Sequence, residues 1–293
     1  MTIPLKTLTA AGLLCCLGVV GVAPAARAAD AADKSGFTLL MPTPDADLRD
    51  FSPDRPAKAD SPYTVDAGHF QIEGDFLDVT ATKRSGLSTH TFETADPVLK
   101  LGLTNAIDLE VTLGGYNTLR SIDRATGALL ERDKGYGDTT VLTKFNLLGN
   151  DKGDVVLAVS PYLKVPTGAA GIGDGTVEGG VIAPLLLKLP QDFEVTLQTE
   201  VDVLANENGP GTHVAFANIA EVSHPVPGLK DVTAFAEFYS QVTAARQETN
   251  IYTADVALAY QVDPNLQLDV GANFGLNRGA PDTEVYSGVA RRF

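Results

Sequence analysis

The chain has 293 residues, 44% of them apolar and 20% charged, and a formal net charge of −15. That acidity argues against nucleic acid as a partner, since one polyanion repels another. Its only cysteines, Cys15 and Cys16, lie near the start. Beyond them no stretch reaches the ~18 uninterrupted apolar residues of a spanning helix, so a disulfide-stapled domain and a helical membrane protein are both excluded.

Residues 1–6 form a short basic region, residues 8–23 are apolar, and Ala26, Arg27 and Ala28 make a small-residue cleavage box. This pattern predicts an export signal over residues 1–28, with the mature chain starting at Ala29. Gly12-Leu13-Leu14 lacks the small residue expected immediately ahead of a lipidated cysteine, which counts against Cys15 as a lipidation site. Cleavage would remove Lys6, Arg27 and no acid, taking the net charge from −15 to −17. Residues 29–62 carry Pro42, Pro44, Pro53, Pro56 and Pro62 with no sustained period. They are expected to be an irregular segment, either a disordered leader or a piece folded into the interior of the downstream unit.

From residue 63 to residue 293 the chain reads as one unit, and from Gly68 onward its period is two. Phe70, Ile72 and Phe76 alternate with His69, Gln71, Glu73 and Asp75, and Ile107, Leu109 and Val111 with Asp108, Glu110 and Thr112. Phe193, Val195, Leu197, Val201 and Val203 face away from Glu194, Gln198, Glu200 and Asp202. Leu266, Leu268, Val270 and Phe274 oppose Gln267, Asp269 and Asn273. Successive side chains on a strand point to opposite sides, so each segment has one oily and one polar face.

The segments run ~10–12 residues, the length of a tilted strand that crosses a bilayer, whereas soluble strands average ~5–6. Short turns near residues 104–106, 149–153, 190–192, 224–230 and 263–265 alternate with longer polar connections at residues 117–136, 167–176, 205–212 and 244–250. Short inner turns and long outer loops are the habit of outer-membrane barrels. The expected fold is therefore all-β: a transmembrane antiparallel up-and-down β-barrel of about 12 strands, both ends on the short-turn side. The closing segment, TEVYSGVARRF, alternates up to Phe293, which is expected to act as an assembly signal for the outer-membrane barrel machinery. Arg291 shares a face with Phe293, and so close to the membrane edge it costs only ~0–1 kcal/mol.

SPYTVDAGHFQIEGDF, PVLKLGLTNAIDLEV, GYGDTTVLTKFNLLGN, YLKVPTG, VEGGVIAPLLLKLP, LQTEVDV, LQLDVGANFGL and the terminal Phe resemble the outer-membrane β-barrel transporters named for the meta-pathway of phenol degradation. The similarity spans residues 61–293. It implies an outer-membrane barrel that passes small molecules, with aromatic compounds as the class suggested by the family name.

Chemistry-bearing patterns are few. Gly171, Gly173 and Gly175 loosely resemble a dinucleotide loop, but a strand-like run comes next where the motif needs a helix. His69, His90, His213 and His224 show no metal-ligand spacing, and no nucleophile elbow accompanies Ser223 and His224, so neither enzyme activity nor a cofactor is expected. The polar faces supply the candidates. Glu73, Asp75, Asp108, Glu110, Lys144, Lys164, Glu194, Glu200, Asp202, Glu237, Asp255 and Asp269 are expected to line the lumen, either as ion pairs bracing the wall or as groups that meet a permeant. The excess of acids favours cations or neutral solutes over anions. The expected function is a channel in the cell outer membrane for passive uptake of small molecules, its partners being lipid, the assembly machinery and the permeant. The rival readings are a closed structural or adhesive barrel and a soluble periplasmic β-protein, which the absence of Trp favours mildly.

Overall fold

The computed structural model describes residues 33–206, 209–245 and 248–293, so the expected signal over residues 1–28 lies outside the described residues. Fifteen strand segments form one antiparallel sheet: β1 (Phe70–Arg84), β2 (Leu87–Thr94), β3 (Val98–Thr104), β4 (Ile107–Leu113), β5 (Tyr116–Asp123), β6 (Leu129–Tyr136), β7 (Thr139–Leu148), β8 (Val155–Val165), β9 (Glu178–Lys188), β10 (Glu194–Ala205), β11 (Thr212–Pro225), β12 (Val232–Thr243), β13 (Ile251–Asp263), β14 (Leu266–Gly275) and β15 (Thr283–Arg292). Neighbours run β15-β14-β13-β12-β11-β10-β9-β8-β7-β4-β3-β1, and β15 pairs back onto β1. Closure removes the open sheet edges that lipid cannot satisfy.

Three wall strands are interrupted. β2 and β3 are the outer and inner halves of one strand, both paired to β1. β4 continues as β5 beyond Gly114 and Gly115, and β6 as β7 beyond Gly137 and Asp138. The fifteen segments thus make a closed barrel of twelve strands. The outer halves β2, β5 and β6 form a flap whose far edge is partly capped by residues 166–177, where Ala169 N donates to Tyr136 O at 2.9 Å. Residues 117–136, expected as a loop, are largely this β5–β6 hairpin. Its outward face carries Arg120, Arg132 and Lys134 where the other strands carry oily residues, so the alternation that marks a strand is missing.

The side-chain partition is inverted relative to a soluble protein. Leu197, Val270, Phe238, Val256 and Phe274 lie exposed on the outer surface, while Lys144, Glu73 and Asp108 are among the largest fully buried side chains. A sandwich with oily faces inward would show the opposite.

The interior is filled by the chain itself. Residues 33–69 enter at the short-turn end, where Thr38 bridges Thr104. They rise along the wall to residues 54–60, then descend through Pro62, Thr64 and Asp66 to β1. The irregular segment therefore continues past Pro62 to Gly68. Its close approach to the wall needs glycine: a Cβ at Gly102 would collide with the Asp66 carbonyl, and one at Gly288 with the Arg55 guanidinium.

Candidate functional site

The site is the lumen and the hairpin of chain inside it. Alternation along each wall strand sends every second side chain inward, and these side chains meet the hairpin in three clusters and at the inner mouth.

In the first, Lys100 Nζ lies 2.5 Å from Glu73 and also pairs with Asp54, and Lys144 Nζ lies 3.0 Å from Asp54 and 2.9 Å from Glu110. The main chain joins in, with Arg55 N donating to Glu73 at 3.1 Å and Val65 N to Asp108 at 2.9 Å. Burial alone would raise the Asp54 carboxyl, but Lys100 and Lys144 outweigh it and hold the group below the usual carboxylate range.

In the second cluster, Arg55 forks between Asp269 at 2.7 Å and Asp75 at 2.8 Å, while Pro56 O accepts from the Tyr286 hydroxyl at 2.7 Å. In the third, Lys58 Nζ pairs with Asp255 at 2.9 Å, Ala59 N donates to Glu237 at 3.0 Å, and Asp60 N donates to Gln198 at 2.7 Å. At the inner mouth Asp66 gathers Lys34, Arg49 and Arg292 within 3.4 Å. A charge in a low-dielectric interior persists only when it is paired, and those of Asp54, Arg55, Lys58 and Asp66 are.

Four of the expected lumen residues stand apart from the hairpin's ion pairs. Glu194 borders a cavity of about 190 Å³ toward the inner mouth, beside Glu221, Ser223 and Gln261. Glu200 borders a cavity of about 310 Å³ on the outer side, with Asp96, Thr140, Tyr162 and Ile182. Asp202 accepts from the Tyr162 hydroxyl at 2.8 Å, and Lys164 pairs with Asp174 and Glu178 near the outer rim. Asp54, Arg55, Ala57 and Asp60 line both cavities, so this one turn of chain separates them. The structure thus brings Glu73, Asp75, Asp108, Glu110, Lys144, Glu237, Asp255 and Asp269 together around residues 54–65, and leaves Glu194, Glu200, Asp202 and Lys164 above or below.

Sequence reasoning missed Asp54, Arg55 and Lys58. Their only signal was alternating charge inside a proline-rich stretch, which is as common in a solvated leader.

At the seam, Phe293 N donates to Phe70 O at 2.8 Å, Phe70 N to Phe293 O at 3.3 Å, and the two rings lie 6.2 Å apart. Arg291 pairs with Asp263 at 3.0 Å and sits over the Phe293 ring.

A closed twelve-stranded wall with oily outer faces and a charged, chain-filled lumen defines an outer-membrane-type β-barrel. Residues 53–293 match the family described as putative MetA-pathway of phenol degradation, and the chain belongs to that family. Solved structures of similar fold include the COG4313 outer membrane channel from Pseudomonas putida F1, at 14% identity and a TM-score of 0.57, covering 81% of this chain and 99% of that one. The KdgM porin in complex with disordered oligogalacturonate aligns at 13% identity and a TM-score of 0.46, covering 74% and 98%. The transport unit of the autotransporter AIDA-I from Escherichia coli aligns at 10% identity and 0.49, covering 76% and 89%. No curated protein matches the chain.

Proposed function

We propose that this protein is an outer-membrane channel for passive passage of small molecules, and that the hairpin of residues 49–66 is its removable obstruction. The observation that carries the reading is the pair of cavities, about 190 and 310 Å³, divided only by residues 54–60. The obstruction is not part of the hydrogen-bonded wall, so displacing it would join the cavities while the barrel stays closed. The hairpin is held by hydrogen bonds and ion pairs, which water can replace, more than by a large apolar contact.

The family description suggests small aromatic compounds as permeants. Physics adds a sign: Asp96, Glu200 and Asp202 toward the outer side favour neutral or cationic solutes over carboxylates. Passage is downhill and involves no chemical step. A closed anchoring barrel is the second reading, favoured by the ion pairs that Asp54, Arg55, Lys58 and Asp66 make with the wall.

Planar-bilayer recording of the full chain decides between them. A channel gives discrete conductance that grows when Arg55 and Lys58 are replaced by Ala. Silence from both the native protein and that variant would leave the closed barrel.

A further inference from the structure

On the flap, β2, β5 and β6 present the barrel's outward face near the outer rim. Cross-strand register places Ala81, His90, Arg120 and Arg132 in one row, and Val79, Phe92, Thr118 and Lys134 in the next row toward the membrane. Below those, Tyr116 and Tyr136 stand opposite each other with rings 5.3 Å apart, edge to face. Arg120, Arg132, Lys134 and the nearby Lys83 are exposed. Among the described residues none of these four side chains forms an ion pair.

In a chain of net charge −15, Arg120 and Arg132 directly face each other across the sheet. Like charges in that position destabilise a sheet unless something anionic lies between them. The acids of this region, Glu93, Glu131 and Asp133, point to the opposite face.

The layering indicates what the anion is. Exposed Leu113, Val141 and Phe145 lie toward the membrane centre, and the tyrosine pair stands next, at the level where amphipathic rings mark the water boundary. Each further row adds two residues, or ~7 Å, so the basic rows stand ~7–14 Å beyond the tyrosines, at headgroup depth. From the outward face of the flap we infer a docking site for the phosphate-bearing headgroup of an outer-leaflet glycolipid, clamped by Arg120, Arg132 and Lys134 over acyl chains that pack on Tyr116 and Tyr136. Guanidinium groups suit the task because their paired N–H donors match phosphate oxygens. The inference rests on the outer-membrane placement and is independent of whether the lumen conducts.

The test uses the full chain in detergent, with diphosphorylated lipid A and its dephosphorylated form as probes and native mass spectrometry as the readout. A basic residue near a charged lipid surface contributes roughly fivefold, so the native protein should prefer the diphosphorylated probe by about a hundredfold. Arg120→Gln/Arg132→Gln/Lys134→Gln should remove that preference while keeping heat-modifiable mobility. Should the triple variant not fold, Lys134→Gln alone should lose about fivefold. Equal binding of the two probes by the native protein, or an undiminished preference in the folded variants, would overturn the site.

Discussion

Arg55 shows how a single side chain can hold a segment inside a membrane protein. Its guanidinium reaches two carboxylates on different strands, Asp269 on β14 and Asp75 on β1, neither of which could remain charged and unpaired at that depth. Removing one partner of a buried ion pair costs about 3–5 kcal/mol, most of it from the charges left behind. Arg55→Ala should therefore loosen residues 54–60 by about that amount. Hydrogen exchange would show it as faster amide exchange there, with the wall strands unchanged. Arg55→Lys should fall between the two, because an ammonium keeps the charge but loses the planar pair of nitrogens that grips Asp269. Unaltered exchange in both variants would mean that the hydrogen bonds of Glu73 and Glu237 to the hairpin main chain suffice.

Among the elements, β10 and β14 provide the cleanest contrast between faces. Leu197 and Val270 lie exposed on the oily side. Leu197→Arg or Val270→Arg should destabilise the barrel by about 2–4 kcal/mol, measured by denaturant unfolding in lipid vesicles. On sequence grounds the neighbouring Gln198 would accept Arg more readily, as a position lining an open lumen. The structure changes that expectation, since Gln198 is buried and accepts the Asp60 amide at 2.7 Å. Gln198→Arg should keep heat-modifiable mobility and barrel stability but dislodge the hairpin, raising conductance. Equal loss of stability at positions 197 and 198 would refute the assignment of faces. The closing strand carries its own proposal: deleting Phe293 removes both hydrogen bonds to Phe70 and the ring contact, and should leave unfolded protein short of the outer membrane. Normal levels of assembled barrel in the deletion would remove Phe293 as an assembly signal.

Over the whole molecule the acids act as a summed field. Glu200 and Asp202 sit on the outer side of the hairpin, clear of its ion pairs, and so are the carboxylates best placed to meet a solute. Glu200→Gln/Asp202→Asn should shift the reversal potential toward anions, and the shift should shrink as salt rises, since the Debye length falls from ~10 Å at 0.1 M to ~3 Å at 1 M. A conducting double variant with an unchanged reversal potential would make these residues braces. Glu73, Asp75, Glu110, Asp255 and Asp269 are paired with Arg55, Lys58, Lys100 and Lys144, so neutralising these acids should alter hairpin stability more than selectivity.

The sequence by itself determined the wall. A two-residue period longer than a soluble strand needs, with short turns alternating with long loops, leaves few options once lipid must be faced on one side and hydrogen bonds closed on the other. It also placed the charged side chains on one face, because strand geometry makes facing a local property. The β5–β6 hairpin escaped, since its outward face is basic where local pattern reading expects oil. Tertiary structure alone decided what fills the lumen. Arg55 meets Asp269 across 214 positions and Lys58 meets Asp255 across 197. Such pairings leave no periodic trace in an irregular stretch, because they depend on where a closed barrel brings distant strands and not on any neighbour in the chain.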